Sequence, residues 1–99
     1  MQFNIRIFSG EKGINPINDN VDVEVAFING DRYVATFFTL SNIKSLIDNY
    51  KKTEECCCGL YFWASDMIIV ELLNEDVIKC SVTDLIKSGE FYSSFNKVI

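Results

Sequence analysis

The chain contains no histidine. That absence removes Ser-His-Asp and Cys-His nucleophilic schemes, the commonest general base and the commonest zinc ligand. It has no long apolar run: nothing approaches the ~20 residues needed to span a bilayer. The opening residues, MQFNIRIFSG, lack the charged and apolar regions of a signal peptide. These two absences point to a cytoplasmic protein without a membrane segment, with thiols kept reduced. Basic clusters are also missing. The nine Lys and Arg are scattered singly apart from Lys51 and Lys52, against fourteen Asp and Glu, for a net charge of −5. Phosphate contacts need clustered cations, so nucleic acid is disfavoured as a partner. No phosphate loop is present either, because SGEKG at 9–13 lacks the spacing and the following helix.

What remains is rich in core-forming residues. Hydrophobic residues make up 48% and aromatics 13% of 99 residues. That is enough for one domain, spanning 1–99, to fold without disulfide or metal staples.

Residues 1–8 alternate, with Phe3, Ile5 and Ile7 on one face, and read as a strand. Residues 9–20 form a loop by composition, with two Gly, the only Pro and three Asn. Residues 21–28 put Val21, Val23, Val25 and Phe27 on one face and Asp22 and Glu24 on the other. Asn29–Gly30 is a hairpin turn signal, returning into a strand at 32–39 with two apolar faces. A helix is predicted at 41–52: Thr39 or Ser41 caps it, and Ile43, Leu46, Ile47 and Tyr50 recur at helical spacing. Residues 53–59 make a turn. YFWASDMIIV at 61–70 reads as a core hairpin, with strands 60–63 and 67–72 joined at Ala64–Ser65–Asp66. Residues 77–82 alternate Ile78, Cys80 and Val82, which favours a strand; a helix capped by Asn74 with Glu75 and Asp76 in its first turn is the alternative. Thr83 then caps a short helix, 84–88, stopped by Gly89, and the aromatic tail 90–99 packs back on the body. The expected fold is α+β: an antiparallel sheet of about five to six strands, in the order βββαβββα, carrying two helices.

Cys56, Cys57 and Cys58 stand beside Glu54 and Glu55. Adjacent cysteines point in different directions, unlike the spaced pairs of zinc sites or a C-x-x-C redox pair. They read as structural or incidental, and no cofactor or metal is called for. Between Thr53 and Ile78 there are six acids and no base: Glu54, Glu55, Asp66, Glu71, Glu75 and Asp76. A solvated rim accounts for such a run. A docking surface for a basic protein accounts for it too, edged by Tyr61 and Trp63. A glycosidase-like acid pair would need one carboxyl buried in an apolar pocket.

Residues 32–43 (RYVATFFTLSNI) and 61–70 (YFWASDMIIV) resemble small uncharacterised bacterial proteins that occur as stand-alone domains. In size, acidity and lack of catalytic residues the chain is also similar to immunity proteins and other small inhibitors. The first resemblance implies fold; the second implies function by class. The expectation is a non-enzymatic, acidic protein-binding domain of the immunity or anti-defence type, contacting another protein through Tyr61, Trp63, Asp66, Glu71, Glu75 and Asp76. The alternative is a homodimeric small-molecule-binding or regulatory domain paired through a strand.

Overall fold

The computed structural model describes residues 2–99; Met1, with which the expected first strand began, lies outside the described residues. Nine elements follow in order among them: β1 (Phe3–Phe8), β2 (Asn20–Phe27), β3 (Arg32–Thr39), α1 (Leu40–Thr53), α2 (Glu55–Gly59), β4 (Met67–Val70), α3 (Glu75–Ser88), α4 (Phe91–Ser94) and β5 (Asn96–Val98). The fold is α+β, built on a five-stranded sheet in the order β1-β2-β3-β4, with β5 also on β3. β1, β2, β3 and β5 pair antiparallel, while β4 runs parallel to β3. β3 is therefore central, as its two apolar faces require. Its far edge is shared end to end: β4 pairs with Thr36–Thr39 and β5 with Arg32–Val34.

The inner face follows the period of two. Val21, Val23, Val25 and Phe27 of β2 are buried with Tyr33, Ala35 and Phe37 of β3. α3 and α4 cover this face with Ile78, Val82 and Phe91, and Leu73 and Phe95 close it. Phe91 stacks on Phe95 with ring centroids 4.4 Å apart, so the aromatic tail packs back as expected. Burying such side chains contributes about 1.5–3 kcal/mol each, before entropy is counted.

Two expectations fail. First, 61–70 is not a hairpin: only Met67–Val70 is a strand, and residues 61–64 have no regular structure. A strand parallel to β3 has to be reached by a long crossover, usually helical. Here α1 and α2 are that crossover and residues 60–66 are its return path, so no hairpin partner strand stands between α2 and β4. Second, residues 77–82 lie inside α3. The Asn74 side chain accepts from the Val77 N–H at 2.8 Å, Glu75 and Asp76 occupy the first turn, and Gly89 ends the helix at φ 80°. Ile78 and Val82 are four apart and share one helical face, while Cys80 between them is exposed. The two expected elements at 77–82 and 84–88 are one continuous helix.

α1 starts where expected, with Thr39 Oγ1 accepting from the Asn42 N–H at 3.1 Å. None of its residues is buried. It packs chiefly on α2 and on the end of β3. The molecule is accordingly elongated, 45 × 26 × 23 Å, with a radius of gyration of 14.5 Å, against roughly 13 Å for a compact chain of this length. Among the described residues no helix is long and apolar enough to cross a membrane.

Candidate functional site

α2 sets the course of the return path. Cys56, Cys57 and Cys58 have φ of 49°, 52° and 56°, a left-handed turn closed by the Leu60 N–H donating to the Cys56 carbonyl at 3.1 Å. Left-handed backbone costs about 1–2 kcal/mol per non-glycine residue. Gly59, at φ 79°, presses this turn onto α1: a Cβ there would lie 2.6 Å from the Ile47 carbonyl oxygen. The cysteines are spent on this turn, with Cys57 and Cys58 exposed. Among the described residues, no three His, Cys, Asp or Glu side chains are grouped so as to hold a metal ion.

Beyond Gly59 the side chains sort by burial. Phe62 turns inward, edge-on to Phe38 at 5.2 Å between ring centroids. Its neighbours turn outward: Leu60 is 84% exposed, Tyr61 48% and Trp63 69%. The anchored Phe62 thus displays an aromatic on either side of itself. Ile69 and Leu72 are exposed further along the same stretch. The sequence reading missed Leu60, Ile69 and Leu72 as exposed apolar residues. The signal for Leu60 is its place directly after Gly59, where the chain leaves α2.

Asp66 follows, at φ 49°, and its carbonyl accepts from the Thr36 N–H at 2.9 Å as β4 begins. It lies at an open cleft of about 440 Å³ on the outer face of the sheet, with Phe8, Asp22, Glu24, Val34, Thr36 and Val98. The other two acids there are engaged. Asp22 accepts from the Thr36 hydroxyl at 2.7 Å. Glu24 is buried, despite its outward register, because Arg6 and Arg32 cover it at 3.5 Å each. Among the described residues, no group hydrogen-bonds or ion-pairs with the Asp66 carboxylate.

The six residues singled out from sequence therefore separate. Tyr61, Trp63 and Asp66 precede β4. Glu71 follows it, and β4 sets the Cα atoms of Asp66 and Glu71 roughly 16 Å apart at ~3.3 Å per residue. Glu75 and Asp76 lie in the first turn of α3, on the inner side of the sheet. Glu75 sits beside Ile5, Ile7 and Lys79, whereas Asp76 lies on the outer flank of α3 with Lys79, Cys80, Thr83, Asp84 and Lys87. The acids that are close in sequence are spread over the return path, the end of β4 and the start of α3, and do not form one patch.

No protein-family model matches this chain, and no curated protein or solved structure matches it significantly.

Proposed function

We propose that the chain is a small acidic, non-enzymatic protein-binding domain of the immunity or anti-defence inhibitor type, and that it binds through the return path between α2 and β4. The outward display of Tyr61 and Trp63 on either side of the anchored Phe62 carries this reading. Exposed aromatics of this kind are the residues that dominate binding energy when a partner covers them. Leu60 extends the apolar patch. Asp66 supplies an unpaired carboxylate beside it, and the overall charge of −5 favours encounter with a basic surface. Glu71, Glu75 and Asp76 then act at a distance, through the field rather than by contact. A cytoplasmic setting suits the exposed thiols of Cys57, Cys58 and Cys80.

Affinity purification from the native host tests the reading. A protein retained by the wild-type chain is expected to be lost with Trp63→Ala or Tyr61→Ala, a drop of about 30-fold or more for a residue at the centre of an interface. Glu75→Ser with Asp76→Ser should keep the partner and only shift the salt dependence. If the aromatic variants hold the same protein with unchanged affinity, the return path is not the binding surface.

A further inference from the structure

The two edges of the sheet are unlike. On one side β4 and β5 divide the edge of β3 between them, in runs of four and three residues. On the other, β1 presents six residues in unbroken register with β2 and, among the described residues, has no strand beyond it.

The phase of the hydrogen bonds shows which groups of β1 are free. The Phe27 N–H donates to the Asp31 carbonyl at 2.8 Å and the Thr39 N–H to the Asp19 carbonyl at 3.1 Å. In an antiparallel ladder bonded pairs alternate with unbonded ones. Val21, Val23 and Val25 therefore bond to β3, which leaves Asp22, Glu24 and Ala26 to bond to β1. Their partners there are Phe8, Arg6 and Asn4. The Ile28 N–H, donating to the Gln2 carbonyl at 3.4 Å, has the same phase. The N–H and C=O groups of Phe3, Ile5 and Ile7 accordingly point away from the sheet, and no described residue hydrogen-bonds them.

The side chains of the same three residues are partly buried against the core and keep some exposure at the edge. A hollow of about 290 Å³ lies between Ile5, Ile7, Glu75 and Lys79, and another of about 380 Å³ holds Phe3 with Lys79. Free edges are usually shielded by proline, a bulge or a charge directed at them. β1 has neither proline nor bulge. Lys79 alone would be such a shield, but Glu75, one helical turn earlier, accompanies it.

We infer that β1 pairs antiparallel with β1 of a second copy, across a two-fold axis at Ile5, joining two sheets into one. Opposed residues must share a face, and the bonded pairs must be those with free backbone groups. Centring on Ile5 meets both conditions. It sets Phe3 against Ile7 of the second copy and satisfies every free group of the three residues in both strands. Centring on Asn4 sets Ile7 beyond the described residues of the second copy, and centring on Arg6 stacks arginine on arginine. The charges select the same register. Lys79 lines both hollows, at Phe3 as well as at Ile5 and Ile7, whereas Glu75 lines only the one by Ile5 and Ile7. The axis at Ile5 therefore brings Lys79 of each copy to Glu75 of the other. An interface on a two-fold has to be self-complementary, and this mixed-charge edge is, whereas the acidic remainder of the surface would repel a copy. The pairing uses the edge away from the return path and does not rest on the function proposed above.

Sedimentation equilibrium under reducing conditions, from micromolar to sub-millimolar chain, should show a monomer–dimer equilibrium. Glu75→Lys and Lys79→Glu should each raise the dissociation constant by about tenfold or more, since each sets like charges together twice. Mixing the two variants should restore a dimer, because a copy with two lysines then meets a copy with two glutamates. The double swap within one chain should restore it too, which separates a lost contact from a lost fold. Ile5→Pro should give a monomer that keeps its sheet, because the N–H it removes is unused within the chain. A chain monomeric throughout overturns the inference. So does a dimer indifferent to the swaps, or variants that fail to pair on mixing.

Discussion

α1 and α3 are the same length, fourteen residues, and are started and stopped alike. Each has a side-chain cap on its N-terminus, from Thr39 or Asn74, and each carries lysine in its last turn. Each ends on a left-handed residue, Glu54 or Gly89. Their fates differ. α3 lays Ile78 and Val82 into the core with no residual exposure, while α1 buries no residue. Caps and the helix dipole decide that a helix forms. They do not decide where it docks. α1 is held by its caps, by α2, and by side-chain hydrogen bonds from Asn18 to Ser45 and from Asn20 to Asn42, at 3.0 and 2.8 Å.

Truncation sharpens the contrast most. Ile78→Ala in α3 should lower stability by about 2–5 kcal/mol, the range for a large aliphatic cut from a close-packed core. Ile47→Ala on α1 removes a side chain that is only partly buried and should cost about 1 kcal/mol. Denaturant melts of the two variants make the comparison, and equal losses would mean that α1 is as much a part of the core as α3. A smaller effect is expected from Gly59→Ala, about 1–3 kcal/mol, since the new methyl meets the Ile47 carbonyl at a φ that suits glycine. Its damage should stay local: amide exchange should quicken in α1 and α2 and leave β2 and β3 protected. Loss of protection across the sheet would show that arm and body unfold as one unit. The smallest change is at a cap. Asn74→Ala should cost about 1 kcal/mol of global stability, and Asn74→Asp should restore most of it, because a carboxylate also accepts from the Val77 N–H.

The first half of the fold was legible in the sequence because its signals are local. Period-two alternation from Phe3 to Phe37, the Asn29–Gly30 turn and the Thr39 cap each act within a few residues. β4 was legible as a strand but not in its direction, since parallel pairing with β3 depends on where the crossover returns. Tyr61, Phe62 and Trp63 look like strand residues because they are aromatic, and their alternating burial is also what a return path crossing the sheet margin demands. α3 was hidden because Ile78 and Val82 fit both a period of two and a spacing of four, and only the exposed Cys80 breaks the tie. The candidate site was half legible. Alternation sets Tyr61 and Trp63 on the face opposite Phe62, but only the structure shows that Phe62 is the one turned inward. The acidic window did not survive folding as a patch, because neighbours along a chain that runs through an arm, a strand and a helix do not stay neighbours in space.

β3 has one more consequence, and it concerns time. Its first edge is closed by β2, joined to it by a tight turn and available as soon as both strands exist. Its second edge is closed at Thr36–Thr39 only after the crossover has been made, and at Arg32–Val34 only by the last strand. Contacts between distant residues form late, because the intervening loop must be closed first. The middle strand therefore stays open on one side well after the other is closed, and the short strand Asn96–Val98 is the segment that completes it.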